Sequence, residues 1–297
     1  MASIKDLRGS IVALVTPFGD DGGIDYAACE ALLAFHLASG TDGILVCGTT
    51  GETPTLSDEE YAELIAFAVR KVGGKVPVIA GAGANATVRT VRNCAAATAA
   101  GADALLVVGP YYNQPPARGF SDHYAAVARA AALPIIIYNV PGRTGKNIPA
   151  DVVLALARDF ANVVAVKEAS GDWAQIMDIL RRRPDGFLVY SGDDALAFPL
   201  VCLGGDGCIS VVANEIPEEF AALMRAALAG DVARARALHF RYLELMTLNF
   251  VETNPIPVKT ALSMMGRVRE NFRLPMCPLE EGNRAKLAAA LKKLGLV

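Results

Sequence analysis

The chain has 297 residues, with 28 Lys and Arg against 31 Asp and Glu, a net charge of −3, 53% hydrophobic and 20% charged residues. That apolar content excludes a disordered chain, the missing basic excess excludes ordinary nucleic-acid binding, and the length allows one or two domains with a sizeable core. Mean hydropathy is +0.34, yet the longest apolar stretches, such as 133–138, are far shorter than a membrane-spanning helix.

At the start of the chain, Lys5 and Arg8 precede an apolar run, IVALVTPF, that loosely imitates a secretory signal. The run is short, ends in Thr16-Pro17-Phe18-Gly19-Asp20-Asp21 and lacks a small-x-small cleavage site, so a cytoplasmic protein with no membrane segment is expected. Short β-branched apolar runs then follow at 11–16, 42–47, 76–80, 103–108, 134–139, 162–167, 187–190 and 207–212. Near-continuous apolar runs of this length suit parallel strands buried on both faces, and their spacing matches a strand plus a crossover helix.

The segments between read as helices. Ser57 and Glu60 form a capping box opening 58–72, where Tyr61, Leu64, Ile65 and Ala68 make one stripe before Arg70, Lys71 and Gly73-Gly74. Segment 85–100 is Ala-rich and stops at Gly101; Pro149 and Pro217 suit the first turns of two more helices. Eight such units imply an α/β (β/α)8 TIM barrel over 1–230. A doubly wound sheet would favour a Gly-rich fingerprint after the first strand, where Thr16-Pro17-Phe18 stands instead. After Gly230 the strand runs stop, and 231–249, 255–266 and 280–295 read as a C-terminal helical region over 231–297.

Cys29, Cys47, Cys94, Cys202, Cys208 and Cys277 form no C-x-x-C pair and fit no zinc or disulfide spacing, so most read as reduced core thiols. His36, His123 and His239 are far apart and read as single helix histidines, which leaves no metal site.

Barrel enzymes place their chemistry at the C-terminal ends of strands. Lys167 closes the apolar strand VVAVKEAS, where alternation puts it on one face with Val163 and Ala165. On an inward face, desolvation would favour the neutral amine, a nucleophile able to form a Schiff base with a carbonyl; on an outward face it would reach solvent. Tyr138 ends the neighbouring strand, PIIIYN, and a phenol beside an amine can shuttle protons. Gly48-Thr49-Thr50-Gly51-Glu52 offers N–H and hydroxyl donors to a small carboxylate. Arg143, on a mobile-looking loop after Pro141-Gly142, can clamp another carboxylate. Tyr111-Tyr112-Asn113 suits a contact surface or a site.

The motifs GTTGET, PYYNQP, YNVPGRTG, VKEASGD, SGDDA, GGDGCISV and NPIPVKTAL, in this order, closely resemble the dihydrodipicolinate synthase / N-acetylneuraminate lyase family of class I aldolases. The resemblance runs to RLPMCPL near the end of the chain, and the arginine of YNVPGRTG marks the synthase branch. It implies that Lys167 captures pyruvate as a Schiff base, that Tyr138 donates and accepts protons, and that Thr49 and a neighbouring subunit's Tyr112 complete a relay. It further implies that Thr50 and the Ile209 backbone bind pyruvate and that Arg143 holds the carboxylate of aspartate semialdehyde. Gly142 stands where many members have serine. No organic cofactor or catalytic metal is implied, because the iminium is the electron sink, and the usual assembly is a homotetramer, a dimer of dimers.

Three alternatives remain at this level. An aldolase for a sugar acid would keep the chemistry and change the acceptor. A non-catalytic keto-acid-binding barrel would leave Lys167, Tyr138 and Thr49 together unexplained, and a phosphate-binding barrel would clash with Asp193 and Asp194. In lysine-inhibited family members, positions matching Thr53, Pro54, Asp58, Tyr61, Asn85, Arg89 and Tyr111 form the effector site. Arg89 stands where those members carry glutamate, which implies weak or absent inhibition by lysine.

Overall fold

The computed structural model describes residues 4–297. Eight parallel strands, Gly9–Ala13 (β1), Gly43–Val46 (β2), Val78–Gly81 (β3), Ala104–Val108 (β4), Ile135–Asn139 (β5), Val163–Glu168 (β6), Leu188–Ser191 (β7) and Gly207–Ser210 (β8), form a closed barrel in sequence order. The first strand begins earlier than its apolar run suggests. Gly9 and Ser10 pair with Gly207 and Cys208, and beyond Ala13 the Val15 N–H leaves the ladder for Asn214 Oδ1 at 3.1 Å. Closure demands Gly207: its φ is +142°, and a Cβ there would lie 2.1 Å from the Gly9 carbonyl oxygen.

The helices are Tyr26–Ala38 (α1), Asp58–Val72 (α2), Thr87–Ala99 (α3), Ala117–Ala130 (α4), the short Pro141–Thr144 (α5), Ala150–Asp159 (α6), Trp173–Arg182 (α7), Asp194–Cys202 (α8), Pro217–Leu228 (α9), Val232–Leu248 (α10), Ile256–Met264 (α11) and Glu281–Leu294 (α12). The capping box of α2 forms as the sequence implies: Glu60 N–H donates to Ser57 Oγ at 3.1 Å and Ser57 N–H to Glu60 Oε2 at 2.9 Å. Pro217 opens α9, but Pro149 is the N-cap of α6, because its ψ of 147° is extended. Helix α10 packs on α8 and α9, and α11 touches the turn Val212–Asn214 after β8, so the C-terminal helices lie against the barrel.

The barrel separates two cores. Ile11, Leu45, Ile79, Leu106, Ile136, Ala165, Leu188 and Ile209 fill its interior, and a larger layer joins the outer strand faces to the helices. Strand β6 departs from simple alternation. Ile135 pairs with Val163 but Ile136 pairs with Ala165, leaving Val164 as an extra residue in a β-bulge. Val163 therefore faces the helix layer, whereas Val164 and Ala165 both face the interior. The face shared by Lys167 and Ala165 is as expected; the inclusion of Val163 is corrected by the bulge.

Cys29, Cys47, Cys94 and Cys208 are buried thiols, while Cys202 and Cys277 are exposed. The histidines sit singly on α1, α4 and α10. No helix is long and apolar enough to cross a membrane, and no group of three or more His, Cys, Asp or Glu could hold a metal ion among the described residues.

Burial lowers His123 to about 4 and, with the Arg267 charge adding to it, His36 to about 3. A histidine whose folded pKa lies below its unfolded value takes up its proton in the unfolded chain first, so its share of stability is lost as pH falls from about 6.5. His123→Gln should therefore lose less stability than the parent between pH 7 and pH 5, by about 2 kcal/mol, a difference that cancels all other titrating groups. Urea unfolding at the two pH values measures it. Parallel losses in parent and variant would contradict the assignment.

Candidate active site

The bulge at Val164 fixes where Lys167 points. It turns the next residues by one position, so Lys167 enters the barrel mouth instead of the helix layer. Register pairs Lys167 with Tyr138 on β5 and with Tyr190 on β7. Lys167 is 5% exposed and Tyr138 7%, and the Lys167 Nζ lies 4.4 Å from the Tyr138 ring centroid. Tyr190 turns away to the barrel floor, donating its hydroxyl to the Leu7 carbonyl at 2.7 Å. Gly192, after β7, gives the lysine stem its room, since a Cβ there would come within 2.9 Å of Lys167 Cε.

A cavity of about 210 Å³ opens above the amine, and Lys167, Tyr138, Thr49, Thr50, Arg143, Asp193, Val211 and Asn254 are among its walls. Thr49 and Thr50 arrive on the turn after β2, whose flanks Cys47 and Glu52 both have left-handed backbone, at φ 54° and 52°. Thr50 Oγ1 accepts the Asn254 Nδ2–H at 3.0 Å, and the Asn254 carbonyl accepts from Arg143 Nη2 at 3.2 Å. Arg143 sits in the helical turn α5, not on a free loop; Thr144 N–H bonds back to the Val140 carbonyl at 3.0 Å and Gly145 closes the turn at φ 77°.

The wall after β8 is set by Asp194. It is fully buried at the start of α8 and accepts the Val211 and Val212 N–H groups at 3.2 and 2.8 Å; burial raises its pKa above the usual carboxylate range. Ile209 itself lies in the barrel interior below, and Val211, just after β8, lines the cavity. Behind the site, on the outer face, the buried Glu168 accepts from Ser170 N–H at 2.8 Å, Asn139 Nδ2 at 3.1 Å and Gln175 Nε2 at 3.1 Å. Asn139 also donates to Asn147 at 2.8 Å and accepts Ile148 N–H at 3.0 Å, which ties β5 and β6 to the segment after α5.

A second cavity, about 330 Å³, shares Thr49, Tyr138 and Arg143 with the first and extends to Thr53, Pro54, Asp58, Tyr61, Arg89 and Tyr111. Asn85 is not among its walls; its carbonyl accepts from Asn113 Nδ2 at 2.9 Å. Tyr112 stands apart from both cavities, 89% exposed and at φ 69°. The structure thus gathers Lys167, Tyr138, Thr49, Thr50 and Arg143, and leaves Tyr112 outside both cavities. Asn139, Glu168 and Asn254 carry no local signal of these contacts in the sequence, although each lies within a quoted motif. The same holds for Glu52, within GTTGET, and Lys259, within NPIPVKTAL.

These features define a (β/α)8 protein with a lysine–tyrosine pair at adjacent strand ends inside its mouth. Residues 6–294 match the model of the dihydrodipicolinate synthetase family. The chain belongs to that family. It is 50% identical over 293 residues to the 4-hydroxy-tetrahydrodipicolinate synthase of Chloroherpeton thalassium, covering 99% of this chain and 97% of the relative. Among solved structures, the dihydrodipicolinate synthase of Aquifex aeolicus is similar at a TM-score of 0.95 and 48% identity, over 97% of this chain and 98% of that one. A chloride-inhibited dihydrodipicolinate synthase of Acinetobacter baumannii, complexed with pyruvate, is similar at a TM-score of 0.96 and 43% identity, over 98% of this chain and 100% of that one.

Proposed function

We propose that the protein condenses pyruvate with L-aspartate 4-semialdehyde to give 4-hydroxy-tetrahydrodipicolinate, a step towards diaminopimelate and lysine. The observation that carries this reading is the Lys167 amine lying 4.4 Å from the Tyr138 ring centroid, in a cavity that Thr50 and Arg143 also line. Relatives about 50% identical over nearly the whole chain are named for the product, 4-hydroxy-tetrahydrodipicolinate, and a similar solved structure, 43% identical, is complexed with pyruvate.

The Lys167 amine adds to the keto carbon of pyruvate, and the carbinolamine loses water to leave an iminium. Tyr138, with Thr49 beside it on the cavity wall, moves the protons of these steps. Thr50 and the backbone about Ile209 hold the pyruvate carboxylate. Loss of a methyl proton gives the enamine, whose carbon attacks the semialdehyde's aldehyde. Arg143, nearer the mouth, holds that substrate's carboxylate. The substrate amine then attacks the iminium carbon, closes the ring and releases Lys167. The chemistry draws on no organic cofactor or metal.

The exposed Tyr112 supports a relay completed by a neighbouring copy in a homotetramer, and a biosynthetic role suits the cytoplasm. Residues 1–230 are read as the catalytic barrel and 231–297 as the helical region that completes it. Arg89 on the second cavity supports weak inhibition by lysine, since a guanidinium repels an ammonium. Asp58, the carboxylate that could offset it, is paired to Arg92 at 3.0 Å.

Initial rates test these assignments in one assay. Lys167→Ala should lower turnover by orders of magnitude, and Arg143→Ala should raise KM for aspartate semialdehyde about tenfold or more while leaving KM for pyruvate nearly unchanged. Lysine at millimolar concentration should leave the parent enzyme largely active. Equal changes in both Michaelis constants would remove the role of Arg143, and half-inhibition at sub-millimolar lysine would overturn the reading of Arg89.

A further inference from the structure

The turn after β2 is held from outside the barrel. Glu52 ends it in left-handed backbone, a conformation that costs a residue with a side chain free energy unless its surroundings impose it. The imposing contact is an ion pair closed to solvent: Lys259 Nζ, on α11, lies 2.6 Å from Glu52 Oε1, with the two side chains 0% and 1% exposed. The second carboxylate oxygen accepts the Arg273 N–H at 3.2 Å. The ammonium also lies 4.2 Å from the Phe18 ring centroid and 5.3 Å from that of Phe272. Burial lowers the Lys259 pKa, and the Glu52 charge opposes that shift.

Such a pair is an inefficient way to stabilise a fold, because desolvating two charges cancels most of their attraction and apolar side chains of similar shape serve as well. What it supplies is direction, a strong bond between two particular atoms. Lys259 stands five residues after Asn254, whose amide donates to Thr50 and whose carbonyl accepts from Arg143. One short segment therefore grips the turn twice, at Thr50 and at Glu52.

We infer that Glu52 and Lys259 are positioning residues for the keto acid, a latch through which the C-terminal helices hold Thr49 and Thr50 against the cavity above Lys167. The inference rests on the reading of that cavity as a pyruvate site. The latch lies behind the turn whose Thr50 receives the pyruvate carboxylate, so its loss acts on the first substrate and spares the second.

The double variant Glu52→Gln/Lys259→Met tests it. The amide keeps an acceptor for Arg273 N–H, the methionine fills the lysine's length, and no charge is left unpaired in the core. The expected result is a thermal midpoint close to that of the parent, KM for pyruvate raised about tenfold and KM for aspartate semialdehyde within about twofold of the parent. Glu52→Asp keeps the charges but opens the pair by one methylene. It should raise the pyruvate KM in the same direction, by about threefold. An unchanged pyruvate KM in either folded variant, or an equal rise in both constants, overturns the latch. A parent enzyme that fails to turn over the two substrates overturns instead the reading of the cavity, and the latch's role with it.

Discussion

One extra residue in β6 sets the geometry on which the site depends. Strict alternation from Val163 would place Lys167 on the same face as Val163, which packs in the helix layer. The bulge at Val164 reverses that face, so that Val164 and Ala165 both point inward and Lys167 follows into the mouth. The amine then stands level with Tyr138, the two strand ends being paired in register. Gly192 completes the arrangement by leaving the space that the lysine's methylenes occupy. A rigid closed barrel holds these groups more firmly than loops could, and positioning of this kind is what Schiff-base chemistry requires of a scaffold.

The barrel alone does not finish the cavity. Its rim is assembled by groups that meet from opposite ends of the chain: Asn254 bridges Thr50 and Arg143, and Lys259 pairs with Glu52. The helices after Gly230 thus act on the site through the turn after β2 and through α5. On the other side, buried Asp194 fixes the backbone after β8, and Glu168 with Asn139 braces β5 and β6 from behind. Each brace uses a buried polar group bonded to particular atoms of the surrounding structure, which narrows the geometry of the rim.

The eight strands were legible because buried parallel strands leave near-continuous apolar runs, and their C-terminal ends turned the search for chemistry into a short list containing Lys167, Tyr138, Thr49, Thr50 and Arg143. Strand β1 starts two residues before its apolar run, because Gly9 and Ser10 contribute backbone pairing without apolar side chains, and ends three residues before the run does. The bulge left no mark, since VVAVKE has neither glycine nor proline where the register slips. Arg143 read as a loop residue because a single helical turn is too short to show periodicity. The contacts of Glu52 with Lys259 and of Thr50 with Asn254 join residues more than 200 positions apart, a distance over which no local pattern speaks. The motif NPIPVKTAL announced that something mattered there without saying what it touched.

On the proposed reading, the inward-facing amine of Lys167 forms the covalent bond to the keto acid. Borohydride reduction in the presence of pyruvate, followed by peptide mass mapping, tests it most directly. The expected result is one reduced pyruvyl adduct per chain, on the peptide containing Lys167, and none in Lys167→Ala. An adduct on a different lysine, or full turnover with no adduct at all, would contradict it.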